Sequence, residues 1–299
     1  MKILNFGSLN IDYVYSVEHI VNPGETINST DLEVFPGGKG LNQSVALARA
    51  GVQVYHAGIF GEDGDIILNV CKKNNINIKY LKTVSQRTGN AIIQVSNTGQ
   101  NSIVLFGGAN HQNSKEYVDE VLSDFGEDDI ILLQNEINLL DYIIERAYEK
   151  KIKIILNLSP INTAIFKCDL RKIGIFIMNE VEGRQITGKK ETNKILNSMK
   201  VKYPAAKVVL TLGKDGVIYQ DGEKTYTHGI YKTKTLDTTA AGDTFTGYFI
   251  AMLVQNYHIE EVLRIASVAS SLAVAQKGAS RSIPKIDDVL RSKLEYKNN

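Results

Sequence analysis

Cysteine is nearly missing from this chain: only Cys71 and Cys168 occur, far apart and without a metal-ligand spacing. Neither a disulfide framework nor a structural zinc site can therefore hold the fold together, and two reduced thiols in a cytoplasm are the expectation. An excess of one charge is missing too. Lys and Arg number 34 against 33 Asp and Glu, a formal net charge of +1, which gives no pull toward nucleic acid or an anionic membrane. No apolar run approaches the ~18 residues of a membrane-crossing helix. The start, Met1-Lys2-Ile3-Leu4-Asn5-Phe6-Gly7, lacks an apolar stretch long enough for a secretory signal. Internal repeats, low-complexity tracts and flexible linkers are absent as well. These absences leave a cytoplasmic protein forming one domain over 1–299, long enough to bury its apolar surface without staples.

What is present is an alternation of short apolar runs with longer helical patterns. Residues 3–6, 54–59, 130–133, 152–156, 173–178 and 208–212 are apolar and often β-branched, as strands covered on both faces require. Between them, helical spacing marks 39–50, 65–73, 114–123, 139–150 and 192–202. Two strong helices follow at 242–256 and 259–277. This order predicts an α/β fold with a mostly parallel sheet flanked by helices. Segments 11–35 and 87–107 break the rhythm with mixed polarity, and the second holds a hairpin signal around Asn97-Thr98-Gly99. Together they predict a small extra sheet, either an insertion or a lid over a ligand.

Two familiar phosphate-binding signatures are also missing. The stretch Pro36-Gly37-Gly38-Lys39-Gly40-Leu41-Asn42-Gln43 lacks the spacing of a P-loop, and Gln43 stands where a dinucleotide fingerprint needs glycine or alanine. It reads either as a tight turn with a surface lysine or as a loop that offers Lys39 and Asn42 to a polyhydroxylated ligand. Asp237-Thr238-Thr239-Ala240-Ala241-Gly242-Asp243-Thr244-Phe245 is more informative. Small residues end at a helix start, where unsatisfied N–H groups and the dipole favour an anion. Asp243 could cap that helix. It could also accept a proton from a hydroxyl that attacks a phosphoryl group held there. Asn10 and Asp12 alternate just after the first strand, placed either to face one ligand or to form a turn.

Taken together, these motifs resemble the ribokinase (pfkB) family of carbohydrate kinases over nearly the whole chain. The carriers are Gly37–Gln43 and Asp237–Phe245, in the family's order and separation. Asn179-Glu180-Val181-Glu182 and Thr211-Leu212-Gly213-Lys214-Asp215-Gly216 lie between them. The resemblance implies a doubly wound α/β domain with a small β lid. It further implies transfer of the ATP γ-phosphoryl group to the primary hydroxyl of a pentose, D-ribose foremost. Asp243 would be the base, and the N–H groups of Ala240, Ala241, Gly242 and Asp243 the anion hole. Asn10, Asp12, Gly38, Lys39, Gly40, Asn42 and Glu136 would meet the sugar. Asn179, Thr211, Gly213, Gly216, Gly242 and Ser267 would line the ATP site, and Glu182 would act on Mg²⁺ through water. A monovalent cation, K⁺, would sit among Asp237, Thr239, Ala273, Gln276, Gly278 and Ser282, unless Asp237 only makes turn hydrogen bonds.

The chain departs from the family pattern at Thr246, Met178, Asn157-Leu158-Ser159-Pro160 and Ser267. None of these removes a catalytic group. The competing readings are a kinase for fructose, deoxyribose or a nucleoside such as adenosine, and a non-catalytic sugar-binding relative. A nucleoside would need an apolar base pocket, with Phe106 or Tyr13 as candidates. Exposed strand edges of the extra sheet predict a homodimer in which two lids pair.

Overall fold

The structure is a computed structural model that describes residues 1–297. The chain opens with β1 (Ile3–Phe6), β2 (Asn10–Val17) and β3 (Asp31–Gly37), then α1 (Lys39–Arg49), β4 (Val54–Gly61), α2 (Asp65–Lys73) and β5 (Asn77–Val84). The hairpin β6 (Gly89–Ser96) and β7 (Asn101–Phe106) leads to α3 (Lys115–Leu122), β8 (Ile130–Gln134), α4 (Leu140–Glu149) and β9 (Lys153–Asn157). Next come β10 (Ile175–Asn179), α5 (Glu180–Thr187), α6 (Thr192–Lys202), β11 (Lys207–Thr211), β12 (Val217–Asp221), β13 (Lys224–His228) and β14 (Ile230–Tyr231). The last part is helical: α7 (Ala241–Val254), α8 (Ile259–Ala273), α9 (Ala279–Ser282) and α10 (Ile286–Leu290), before β15 (Tyr296–Lys297).

Nine strands form the main sheet in the order β13-β12-β11-β10-β9-β8-β1-β4-β5. It is parallel from β11 through β5, and β12 and β13 add an antiparallel edge. The period of two explains why its strands read as continuous apolar runs. Ile3, Leu132, Ile155, Ile177 and Val209 face one core, shared with α1, α2, α7 and α8. Leu4, Phe6, Leu133, Leu156, Phe176 and Leu210 face the other, filled by α3, α4 and α6. Both faces are covered, as a doubly wound sheet requires.

The segments that broke the rhythm form a second sheet, ordered β3-β2-β6-β7. Its β2–β3 half leaves the main sheet after β1, and its β6–β7 half leaves after β5. The two halves meet through the parallel β2–β6 ladder. The expected helix over 259–277 is shorter, ending at Ala273; residues 274–277 form a turn, and Gly278 at φ 92° then leads into α9. No helix among the described residues is long and apolar enough to cross a membrane.

α1 and α7 lie side by side on one face of the sheet, and glycine sets their distance. A Cβ on Gly247 would fall 2.3 Å from the Ala46 Cβ and 2.9 Å from the Leu47 backbone nitrogen. That contact brings the first turns of the two helices together over the end of β1.

Candidate active site

A cleft of about 530 Å³ opens at the C-terminal ends of the central strands, beside the β1–β8 boundary where the strand order reverses. This is where open α/β sheets gather ligands. Asn10 and Asp12 reach it from β2, Glu136 follows β8, Asn157 ends β9, Met178 and Asn179 end β10, and Thr211 ends β11. Ala91, Ile93, Asn101, Ile103 and Leu105, all on one face of β6 and β7, form its other wall. A second recess of about 140 Å³ adjoins it and shares Thr211 and Gly242. Gly213, Gly216 and Ser267 line that recess, together with Phe245.

Asp243 sits in the first turn of α7 and is 8 % exposed. Its Oδ2 accepts from the Asn42 side-chain amide at 3.0 Å and its Oδ1 from that of Gln43 at 2.9 Å. Ala240 begins the helix in the left-handed region, φ 61°, and its carbonyl accepts from both the backbone N–H and the hydroxyl of Thr244. The Ala241 N–H lies 3.3 Å from the Thr238 carbonyl. The N–H groups of Gly242 and Asp243 have no acceptor among the described residues, as expected for a first helical turn. A Cβ on Gly242 would meet nothing within 4 Å, so a ligand can come right up to the backbone here.

The start of α1 is filled from within. The Glu136 Oε2 accepts from the Ser8 hydroxyl at 2.5 Å and from the Lys39 N–H at 3.1 Å. The Ser8 Oγ in turn accepts from the Gly40 N–H. Gly40 is not part of the cleft wall; a Cβ there would lie 2.4 Å from the Ser8 nitrogen, so its glycine lets α1 rest on the β1 turn. Gly38 does line the cleft, with φ 91°.

Four carboxylates and one lysine share this space. Burial, then the charges of Glu136 and Asp243, push the Asp12 carboxyl up to about 7 against the pull of Lys39. Burial also raises the Glu136 carboxyl, while Lys39 and the Ser8 hydroxyl oppose the shift. For Lys39, burial would lower the ammonium, but Asp243, Glu136, Glu182 and Asp12 together hold it above the usual lysine value. Lys39 is the only Lys or Arg lining the cleft among the described residues.

Asn179 and Glu182 are already engaged with each other. The Asn179 Oδ1 accepts from the Glu182 N–H, and the two Glu182 oxygens accept from the Asn179 backbone N–H at 2.8 Å and its side-chain amide at 3.0 Å. This is a capping box that starts α5. Among the described residues no group of three or more His, Cys, Asp or Glu side chains forms a cation cage. The single Glu182 carboxylate here is a donor that fits a Mg²⁺ keeping most of its waters.

Asp237 ties two loops together. Its Oδ1 accepts from the Thr239 N–H at 2.8 Å and its Oδ2 from the Gly278 N–H at 3.0 Å. The Asp237 N–H reaches the Val274 carbonyl. The carbonyls of Ala273 and Gly278 accept from the N–H groups of Gln276 and Ser282, and the Ser282 hydroxyl donates to the Ala279 carbonyl. Ala273, Gln276, Gly278 and Ser282 lie outside the cleft wall, whereas Thr239 is in it. One carboxylate among backbone carbonyls that keep a second lone pair is a donor set fit for a monovalent cation.

Gln43, Ser8, Asn101 and Asn157 belong to the site but had no assigned role in the sequence. The Asn157 amide donates to the Thr246 hydroxyl at 3.4 Å, and Thr246 lines the cleft along with Asp243. Gln43 closes the glycine-rich motif, so its position was visible while its partner was not.

The chain is similar to known proteins over nearly its whole length. The family model described as pfkB family carbohydrate kinase matches residues 1–286. Ribokinase of Lactococcus lactis is 34 % identical over 98 % of this chain and 97 % of its own. Ribokinase of Haemophilus influenzae is 33 % identical, with 95 % of each chain covered. Among solved structures, Arabidopsis thaliana ribokinase complexed with ribose and ATP superposes with a TM-score of 0.86 at 30 % identity, covering 97 % of both chains. A match that runs through both motifs and the sheet that carries them places this chain in the pfkB family of carbohydrate kinases.

Proposed function

We propose that this protein transfers the γ-phosphoryl group of ATP to the primary hydroxyl of D-ribose, with Asp243 as the base. The observation that carries this reading is the buried Asp243 carboxylate at a helix start whose Gly242 and Asp243 N–H groups are open to a ligand. The sugar hydroxyl gives its proton to Asp243 as its oxygen bonds to the γ-phosphorus, and ADP leaves with the electrons of the breaking P–O bond. The open N–H groups at α7 face the charge that builds on the transferred group.

The cleft chemistry favours a free sugar. Asn10, Asp12, Lys39, Asn42 and Glu136 line the cleft and offer amides, carboxylates and an ammonium to sugar hydroxyls. The buried Asn42 Oδ1 has no partner among the described residues and suits a hydroxyl donor. A sugar phosphate would bring negative charge to four carboxylates and one lysine. A nucleoside finds no aromatic wall among the described lining residues: Phe106 and Tyr13 alternate onto the far face of the small sheet. The ribose and ATP of the Arabidopsis complex support the same acceptor and donor.

ATP would lie along the second recess, against Thr211, Gly213, Gly216 and Ser267, with Asn179 near its phosphates. Glu182 would hold a hydrated Mg²⁺, which supplies charge neutralisation on the phosphates. Asp237 with the carbonyls of Thr239, Ala273, Gln276 and Gly278, and Ser282 beside them, would hold K⁺ and keep the turn before Gly242 in shape. The small sheet would serve as a lid. Its far face carries exposed Leu32, Val34, Ile92, Val104 and Phe106, a patch that pairing of two lids in a homodimer would cover.

ADP release with Mg·ATP across D-ribose, 2-deoxyribose, fructose, fructose 6-phosphate and adenosine, with and without K⁺, tests the proposal. Ribose-selective turnover stimulated by K⁺ is expected. Preference for another acceptor would replace ribose, and no turnover with any would leave a sugar-binding relative.

A further inference from the structure

Behind the cleft runs a buried line of polar side chains that the reaction as described does not use. Asn5, Gln43, Ser44, His56 and Gln134 are all 0 % exposed. Asn5 and Gln134 occupy strand positions whose neighbours Ile3 and Leu132 face the apolar core under α1. A polar group there needs partners, and each residue finds at least one in the next residue of the line; the Gln134 Oε1 alone among these side-chain atoms has none among the described residues.

The sense of each amide can be read from a backbone carbonyl, which can only accept. The Gly40 carbonyl takes the Asn5 amide at 2.7 Å, so Asn5 turns its nitrogen toward α1, where the Ser44 Oγ also accepts it at 2.8 Å. The Ser44 hydroxyl meets the His56 Nδ1 at 2.7 Å, and the His56 Nε2 faces the Gly7 carbonyl at 3.3 Å. Burial holds this imidazole down at about 4, so it is neutral; Nε2–H donates to Gly7 and Nδ1 accepts from Ser44. The Asn5 oxygen is thereby left to accept from the Gln134 nitrogen at 3.0 Å. The same nitrogen donates to the Gln43 Oε1 at 2.7 Å. Gln43 must then present its nitrogen to the Asp243 Oδ1, where it lies at 2.9 Å.

We propose that Gln43 is a positioning residue for the phosphoryl-transfer step, its amide orienting the Asp243 carboxylate, and that Gln134 fixes the sense of the Gln43 amide. This rests on the reading of Asp243 as the base. Asn42 contributes to the cleft wall, while Gln43 does not. With Oδ1 turned to the buried Gln43, Oδ2 beside Asn42 is the oxygen that takes the sugar proton. Without the Gln43 amide the carboxylate keeps one donor and can rotate, and a misplaced base slows the step without weakening sugar binding.

Gln43→Met, Gln134→Met and the double variant test this in full-length protein, with Asp243→Asn as the reference and circular dichroism and Tm as folding controls. Gln43→Met is expected to lower kcat by about 10²-fold, with KM for ribose and ATP within about 3-fold. Gln134→Met is expected to lower kcat by about 10-fold, and the double variant to be no slower than Gln43→Met, because Gln134 acts through Gln43. A Gln43→Met kcat within about 2-fold of the parent, or losses that multiply in the double variant, would overturn the proposal. If Gln43→Met does not fold, Gln134→Met decides by the same split of kcat from KM. An Asp243→Asn variant with normal turnover would sink the base assignment itself; a dead Asp243→Asn beside a normal Gln43→Met would sink only the positioning role.

Discussion

Two helix N-termini meet over the cleft, and they are finished in opposite ways. At α1 every early N–H group is taken by the protein: Lys39 by Glu136, Gly40 by the Ser8 hydroxyl, Leu41 by the Ser8 carbonyl and Asn42 by the Gly38 carbonyl. At α7 the Gly242 and Asp243 N–H groups are open, and the glycine face is bare. Both begin at a residue of positive φ, Gly38 in one and Ala240 in the other. The same local device therefore does two jobs. A filled helix start is a rigid shelf that aims side chains such as Asn42, and an open one keeps its donors and its dipole for an anion.

Removing the group that joins the two helix starts should have the largest effect. Asp243→Asn is expected to lower kcat by roughly 10²–10⁴-fold with the fold intact, measured by ADP release. Blocking the open start comes next. Gly242→Val places a side chain where no protein atom stands in its way, so Tm should hold while kcat/KM for ATP falls by about 10²-fold. Opening the closed start should act differently. Ser8→Ala removes the acceptor of the Gly40 N–H and the donor to Glu136, and is expected to cost about 1–2 kcal/mol in denaturant unfolding. It should raise KM for the sugar more than it lowers kcat. If Ser8→Ala instead reduced kcat like Gly242→Val, the division of labour between the two helices would be wrong.

The smallest effect concerns protons. Asp12 has its carboxyl raised to about 7 by burial and by neighbouring carboxylates, so below that pH the empty cleft holds a proton there. Sugar hydroxyls donate to the carboxylate form and favour it, so binding near pH 6–7 should release a fraction of a proton. Calorimetry in two buffers of different ionisation enthalpy reads this directly, and identical heats would remove Asp12 from the sugar contact. His56 acts on stability with its own sign. Its folded value near 4 lies below the ordinary 6.5, so stability is lost as pH falls from about 6.5 toward 4, when the unfolded chain takes up a proton the folded one refuses.

Much of the fold was legible because it is local. β1 was read to its observed limits, Ile3–Phe6, and α2 and α6 to theirs, since apolar runs and helical spacing need no distant partner. Short and mixed elements escaped. β12 and β13 carry polar faces at the sheet edge, and α5 spans only Glu180–Thr187. The Asn179-x-x-Glu182 spacing that starts α5 is also a capping signature, and reading it only as a ligand element hid the helix. In the site, Asp243, the glycine-rich Gly37–Gln43 and the small-residue run before Asp243 stood out through their composition. Gln43 did not, because its meaning comes from Asp243 and Gln134, at separations of 200 and 91 residues.

The contact of Gly247 with Ala46 has a consequence for how this chain can change. It lies one helical turn beyond Asp243 on α7 and one beyond Gln43 on α1, so the distance between the Asp243 carboxylate and the Gln43 amide is gauged by a missing carbon atom. Turns such as that at Asn97-Thr98-Gly99 can gain or lose residues without altering that gauge, since the sheet absorbs the difference. A methyl group at the crossing has nowhere to go and would widen the gap at the Asp243 carboxylate. Tolerance in this molecule is thus distributed by geometry: wide across most of the chain between the two motifs, and about one atom wide where the helices touch.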